Sequence, residues 1–173
     1  MQEMYMETTL PKMDLENSPT GCCPVFEPEL WDGKTFDFGG LRFLEAETRS
    51  FFYMPMNMDK VMSRAQKAIN EAGAGDPDRY LMLSEDPSPW KSIHLMLVTA
   101  DVPGYKTRSL EGHWTARVFE GSFRETGNWY REMNHPRPEG GALPEKILAF
   151  YTTCPRCAKA YGKNYVVMFA RSA

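Results

Sequence analysis

The spacing of apolar residues divides the chain into short alternating segments and two helical stripes. Residues 34–38 and 41–44 flank Gly39-Gly40, with Phe36 and Phe38 alternating on one side and Leu41 and Phe43 on the other. That pattern predicts two half-buried strands joined as a hairpin. Strand character resumes over 49–54, through Phe51, Phe52 and Tyr53, and stops at Pro55. Met58, Val61, Met62, Ala65, Ala68, Ile69 and Ala72 then recur at helical spacing and give one apolar stripe. Asn57 is the expected N-cap of this helix, since its short side chain can accept from orphan first-turn amides. Gly73 is its expected left-handed stop. Strands follow over 80–83 and 93–99, joined by a loop with Pro87, Pro89 and Trp90.

After the break at Pro103-Gly104 the order repeats. A long strand is expected over 107–120, leading into Gly121. Ser122-x-x-Glu125 has the form of a capping box, in which hydroxyl and carboxylate satisfy each other's backbone donors. The second helix runs to about Asn134 and is stopped by His135-Pro136-Arg137-Pro138 and Gly140-Gly141. Strands over 147–152 and 165–170 complete this half. Both halves read strand, helix, strand, strand, roughly 65–70 residues apart. The expected fold class is α+β: tandem strand–helix–strand–strand modules related by a pseudo-twofold, with an N-terminal hairpin. The modules span about 45–102 and 105–173 within a single domain over 22–173. Residues 1–21 lack a period, contain Pro11 and Pro19, and are expected to form a flexible arm. One helix covers only one face of a sheet, so two such halves should pair, with a ligand crevice between them.

Composition narrows the function. No apolar run approaches the roughly 20 residues that cross a bilayer, so no membrane partner is expected. The first twenty residues show no basic start or apolar stretch, so no secretory leader is expected and the cytoplasm is the expected location. A net charge of −3 gives no electrostatic footprint for nucleic acid. Twelve Met and four Trp stand out, a composition suited to an adaptable apolar surface and equally to core filling.

Cys22-Cys23 and Cys154-Pro155-Arg156-Cys157 allow three readings. A thioredoxin-type redox motif fails, because only 16 residues follow Cys157 and that fold needs further strands. A zinc site has the right number of ligands, but adjacent cysteines seldom face one metal. Reduced structural thiols are the preferred reading in a cytosolic chain, so no metal and no cofactor are expected.

Trp90, Trp114, Trp129, Tyr151 and Tyr165 sit at strand edges, in loops and on the second helix. Flat apolar rings with one polar contact suit planar ligands, and they equally suit a core. Alternation places Trp114, Ala116, Val118 and Glu120 on one strand face. Glu120 is therefore either aimed into a pocket, where its pKa would rise toward general acid–base use, or solvated at a strand end. His94 faces the expected crevice or is a satisfied structural histidine. No nucleophile-elbow serine, zinc-protease helix or phosphate-binding loop is present.

The phrases CCPVFEPELWDGKTF, RSFFYMPMNMDKVM, WTARVFEGSF with NWYREM, and FYTTCPRCAKAYGKNYVV resemble the GyrI-like small-molecule-binding family from Cys22 to the C-terminus. The fold of that family is the tandem of strand–helix–strand–strand (SHS2) modules. More narrowly the chain resembles the stand-alone branch containing cyclopropanoid cyclopropyl hydrolases, which cage DNA-alkylating natural products and open their strained ring with water. The resemblance implies a xenobiotic-resistance role and an aromatic cage, for which residue type and strand facing point to Trp90, Trp114, Trp129, Tyr151 and Tyr165, with His94 as a further ligand-binding residue. Glu120 would serve as the base for water, with Tyr151 or Tyr165 donating to the substrate carbonyl. The expected partner is a small-molecule ligand; no protein partner is indicated. Three alternatives stay open: a non-catalytic sequestering module, haem binding through His94, and, least favoured because charges of both signs are interspersed, gyrase inhibition.

Overall fold

The computed structural model describes residues 9–135 and 141–171. Its strands are β1 (Thr35–Asp37), β2 (Arg42–Phe51), β3 (Met54–Pro55), β4 (Met82–Ser88), β5 (Lys91–Val98), β6 (Lys106–Ser109), β7 (His113–Glu120), β8 (Lys146–Tyr151) and β9 (Tyr165–Arg171). The helices are α1 (Met58–Glu71), α2 (Thr126–Met133) and α3 (Pro155–Tyr161). The fold is α+β with antiparallel pairing, and the chain divides into two compact units. Gly40–Leu110 forms a central unit; residues up to Gly39 and from Glu111 onward form a terminal unit. The central unit runs β2, β3, α1, β4, β5, β6, which contains the expected strand–helix–strand–strand order; the terminal unit runs β1, β7, α2, β8, α3, β9, with α3 placed between its last two strands.

In the central unit the strands run β4–β5–β2, with β6 against the start of β2 and β3 against its end. The apolar stripe of α1 packs on one face of this sheet. Ala65 and Ile69 are buried, and Met58, Val61, Met62 and Ala68 pack against Leu44, Ala46, Met82 and Met96. Gly73 takes φ +61°, the left-handed stop that its position predicts.

In the terminal unit the order is β1–β7–β9–β8. Register puts Phe119, Val166, Met168 and Ala149 on one face, where Trp129 of α2 covers them and stacks on Phe119 at 5.5 Å. The opposite face carries Trp114, Ala116, Phe169, Val167 and Phe150. It is covered by the chain's own N-terminal segment. Trp31 packs on Phe36, Phe150 and Phe169, and Phe26 on Phe150 and Tyr165, with ring centroids 5.6–6.3 Å apart. Asp32 locks this segment down by accepting from the Val118 amide at 2.9 Å. Of the expected arm, residues 1–8 lie outside the described residues, while Leu10 is buried and Thr20 contacts Cys157 and Tyr161.

Four local expectations are corrected. Gly39-Gly40 does not close a hairpin: β1 pairs with β7, and β2 with β5 and β6, so the glycines mark the passage between units. The strand over 107–120 is two strands, β6 and β7, interrupted where Gly112 takes φ +86°. Asn57 stands at the N-cap of α1, yet its side chain makes no cap bond and instead accepts from the Arg49 amide at 2.8 Å. The capping box is half formed. Ser122 accepts from the Arg124 amide at the head of a short 3-10 helix, while Glu125 takes its bond from Asn128. Part of the expected stop of α2, residues 136–140, lies outside the described residues.

The N-terminal segment is thus half of the terminal unit's core. Trp31→Ala is expected to lower the unfolding free energy by about 3–5 kcal/mol in urea denaturation, the usual cost of truncating a buried large aromatic. A loss below about 1 kcal/mol would show that the segment is a dispensable cover.

Candidate functional site

At one end of the central sheet, β2 turns into β3 through Phe52 and Tyr53. The flanking pairs Ser50↔Pro55 and Phe51↔Met54 leave only these two residues for the turn, and they take φ of 46° and 67°. Two-residue hairpins of this hand favour Asn-Gly, because a Cβ in the left-handed region meets the following carbonyl. Two bulky aromatics here are costly, at about 1–2 kcal/mol per residue. Backbone bonds hold the turn in place: Tyr53 N–H donates to Pro89 O at 2.9 Å and Ser50 N–H to Trp90 O at 2.8 Å.

The strained turn displays apolar rings to solvent. Phe51, Phe52 and Trp90 are 57%, 63% and 53% exposed. They lean on one another, with centroids 4.7 Å (Phe51–Phe52), 5.0 Å (Phe52–Trp90) and 5.7 Å (Phe51–Trp90) apart. Tyr53, Met54 and Met56 extend the apolar surface. Clustered exposed aromatics held by a strained backbone mark binding surfaces more often than accidents.

At the same end the helix-covered face of the sheet changes from apolar to polar, while Phe51 alternates onto the other face. Thr48 and Ser50 on β2, Ser92 and His94 on β5, and Ser84 on β4 occupy alternate positions of adjoining strands and are buried. Their hydroxyls are paired. His94 bonds Ser84 Oγ through Nδ1 at 2.8 Å and Thr48 Oγ1 through Nε2 at 2.9 Å, so a neutral ring satisfies both hydroxyls. Burial pushes His94 down to about 4. A second chain runs from Ser50 Oγ to Ser92 Oγ at 2.9 Å, and Ser92 donates to Asp86 Oδ1 at 2.5 Å. Asp86 itself reaches the surface. Desolvation of its carboxylate raises its pKa above the ordinary aspartate value; the Ser92 hydroxyl opposes the shift and Glu85 adds to it. The arrangement is a surface carboxylate with an accessible, weakened acidity, oriented by a buried serine, at the same sheet end as an aromatic cage.

Of the residues expected from sequence, Trp90 and His94 fall in this region and the others do not. Trp114 is fully buried, stacked on Phe38 at 5.5 Å, with its indole donating to Glu111 O. Trp129, on α2, is buried against Phe119. Glu120 is exposed at the end of β7, opposite Tyr165 in register, and both point to the face that carries Phe26. Tyr151 lies on the other face, near Phe123 and the α2 cluster. The expected trio is therefore split across the sheet. Phe51, Phe52, Asp86, Ser92 and Ser50 line this candidate site and are not among the residues expected from sequence. Their signal was present: small polar residues at alternate positions of three strands, where a core strand would be apolar.

The terminal unit holds a separate cluster. The Sγ atoms of Cys22, Cys23, Cys154 and Cys157 all lie within 4.8 Å of one another. None is in a disulfide. Burial raises the Cys23 thiol; at Cys157 burial also works upward, but the Thr20 hydroxyl and neighbouring cysteines outweigh it and bring it down to about 7.

The bacterial hydrolase family matches the chain over residues 13–172. No curated protein and no solved structure matches it. The chain belongs to the bacterial hydrolase family. Among the described residues no helix is long and apolar enough to cross a membrane.

Two outcomes follow from this geometry. The folded His94 titrates below its unfolded value of 6.5, so as pH falls below 6.5 the unfolded chain takes up a proton first. Stability should fall between pH 6.5 and about 4 by up to about 3 kcal/mol and then level off, and His94→Gln should remove that slope in pH-dependent denaturation. At the turn, Phe52→Asn with Tyr53→Gly should raise stability by about 1–2 kcal/mol, read as a shift in thermal midpoint; a destabilised double variant would show that the turn stores no strain.

Proposed function

We propose, from membership of the bacterial hydrolase family, that the protein hydrolyses planar hydrophobic small molecules held against Phe51, Phe52 and Trp90. Asp86 acts as the acid–base group. The observation that carries this reading is the Ser50–Ser92–Asp86 chain, which ends in a surface carboxylate at the same end of the sheet as the exposed ring cluster. Ser92 fixes the carboxylate, and partial desolvation brings its proton affinity closer to that needed for proton transfer near neutral pH.

The likeness to the GyrI-like family suggests the substrate class: compounds bearing a strained, electrophilic cyclopropane. In such a molecule water oxygen forms a bond to a ring methylene as a cyclopropane C–C bond breaks. The electron pair moves through the conjugated system onto the carbonyl oxygen. Asp86 takes the proton from water, and the phenolate is protonated in turn. The strained ring supplies most of the driving force, so orientation and one proton-transfer group suffice. A sequestering module that uses the same rings without turnover is the second reading, favoured by the exposure of the cage.

The test is incubation with a cyclopropane-bearing aromatic compound and mass spectrometry of the small molecule. A product heavier by one water is expected, with kcat lowered about 100-fold or more in Asp86→Asn while binding is retained. Trp90→Ala should weaken binding about ten-fold. The acid limb of the pH–rate profile should have its midpoint above the ordinary aspartate value of about 3.9. Full turnover in Asp86→Asn together with loss in Glu120→Gln would move the chemistry to the Glu120–Tyr165 face. Binding without a hydrated product would leave the sequestering reading.

A further inference from the structure

We propose that Cys22, Cys23, Cys154 and Cys157 bind one zinc ion in a closed four-thiolate site that clasps the N-terminal segment onto the terminal unit. Zinc–thiolate bonds of about 2.3 Å at tetrahedral angles require sulfur–sulfur separations of about 3.8 Å. Cys22 and Cys23 Sγ are 3.7 Å apart, and Cys22 and Cys154 Sγ are 4.0 Å apart. No pair of the four exceeds 4.8 Å. A disulfide would need a sulfur pair near 2.05 Å, so the sulfurs stand at metal-site spacing rather than at bonding distance.

The backbone explains how adjacent cysteines reach one centre. Gly21 takes φ +70° and its amide closes a turn onto Ser18 O, which swings Cys22 and Cys23 toward α3. On the other side Cys154 is the N-cap of α3, Pro155 opens the helix, and Cys157 lies in its first turn, on the same side as Cys154. Sulfur environments agree. Cys23 Sγ accepts from the Cys154 amide at 3.4 Å and Cys154 Sγ from the Cys157 amide at 3.5 Å. Thr20 Oγ1 lies 3.1 Å from Cys157 Sγ. Donors aimed at sulfur spread the negative charge that four thiolates impose on a divalent ion, and they fix ligand orientation. Asn164 braces the neighbouring turn: it accepts from Thr153 Oγ1 at 3.0 Å and donates to Gly121 O at 2.8 Å.

Four protein thiolates leave no open position for water or substrate, so this ion is structural and stands apart from the hydrolytic site. Its effect follows from connectivity. The Cys22-Cys23 pair is tied to residues more than a hundred positions later in the chain, and Tyr161 donates to Cys23 O at 2.6 Å beside the same junction. The segment held in this way includes Phe26 and Trp31, which cover the aromatic face of the sheet.

The full-length protein, purified reduced from zinc-supplemented cells, should contain one zinc per chain by elemental analysis. Cobalt(II) exchanged into the wild-type chain should give thiolate-to-metal charge transfer and tetrahedral ligand-field bands. Mercurial titration of wild-type thiols should release the zinc in step with four sulfurs. Removing zinc by a strong chelator should speed limited proteolysis within residues 20–34 by about ten-fold or more, because the clasp is lost. Cys23→Ser and Cys154→Ser should each lose stoichiometric zinc. Wild-type protein that stays metal-free in excess zinc, that holds iron instead, or that contains a disulfide among these cysteines would overturn the proposal. Unchanged proteolysis after zinc removal would overturn the clasp.

Discussion

A sheet carrying one helix has a second apolar face that water must not reach, and this constraint organises the terminal unit. Helix α2 covers only the face of Phe119, Val166 and Met168. The face of Trp114, Phe150 and Phe169 is closed by residues more than seventy positions earlier in the chain, chiefly Phe26, Trp31, Phe36 and Phe38. Each buried aromatic removes about 150–250 Å² from water, which offsets the entropy of ordering the irregular segment. Bringing the segment back also carries Cys22 and Cys23 to the start of α3. The thiol cluster is therefore a consequence of the same closure, placed where the segment would otherwise fray.

The central unit meets the constraint differently. Its helix covers an apolar strip of the sheet, but the strip ends in hydroxyls, a histidine and a carboxylate. Buried polar groups of this kind cost about 1–3 kcal/mol each when left unpaired. Here each finds a partner, and the chain Ser50–Ser92–Asp86 leads outward to the surface. At the same end of the sheet two aromatic residues hold left-handed backbone conformations while showing their rings to water. Satisfied polar burial, backbone strain and exposed rings each lower stability relative to a plain core, and all three occur at one end of one sheet. Their coincidence is what makes this end the candidate site.

Periodic features were legible in sequence, and partner choice was not. The stripe from Met58 to Ile69 fixes α1, and alternation through Trp114, Ala116 and Val118 gives the facing of β7 correctly. Gly39-Gly40 announces a turn, but a local turn signal says nothing about which strands pair across it. Likewise 107–120 reads as continuous strand because Gly112 is the lone sign of the break. The aromatics divide by the same logic. Residue type cannot separate Trp114, which fills a core, from Trp90, which faces solvent from the loop of Pro87 and Pro89. Phe51 and Phe52 read as strand interior until the register confines Phe52 to a two-residue turn. The adjacent cysteines looked poorly suited to one centre from spacing alone; the left-handed Gly21 supplies the bend that spacing does not reveal.

The most direct test of the account is an NMR titration of the isotope-labelled protein with a planar hydrophobic ligand, following the four tryptophan indole N–H resonances. The account predicts that the Trp90 resonance shifts and saturates with ligand, while those of the buried Trp31, Trp114 and Trp129 stay in place. A shift of Trp114 or Trp129 with Trp90 unmoved would contradict it, and would place the binding surface elsewhere in the molecule.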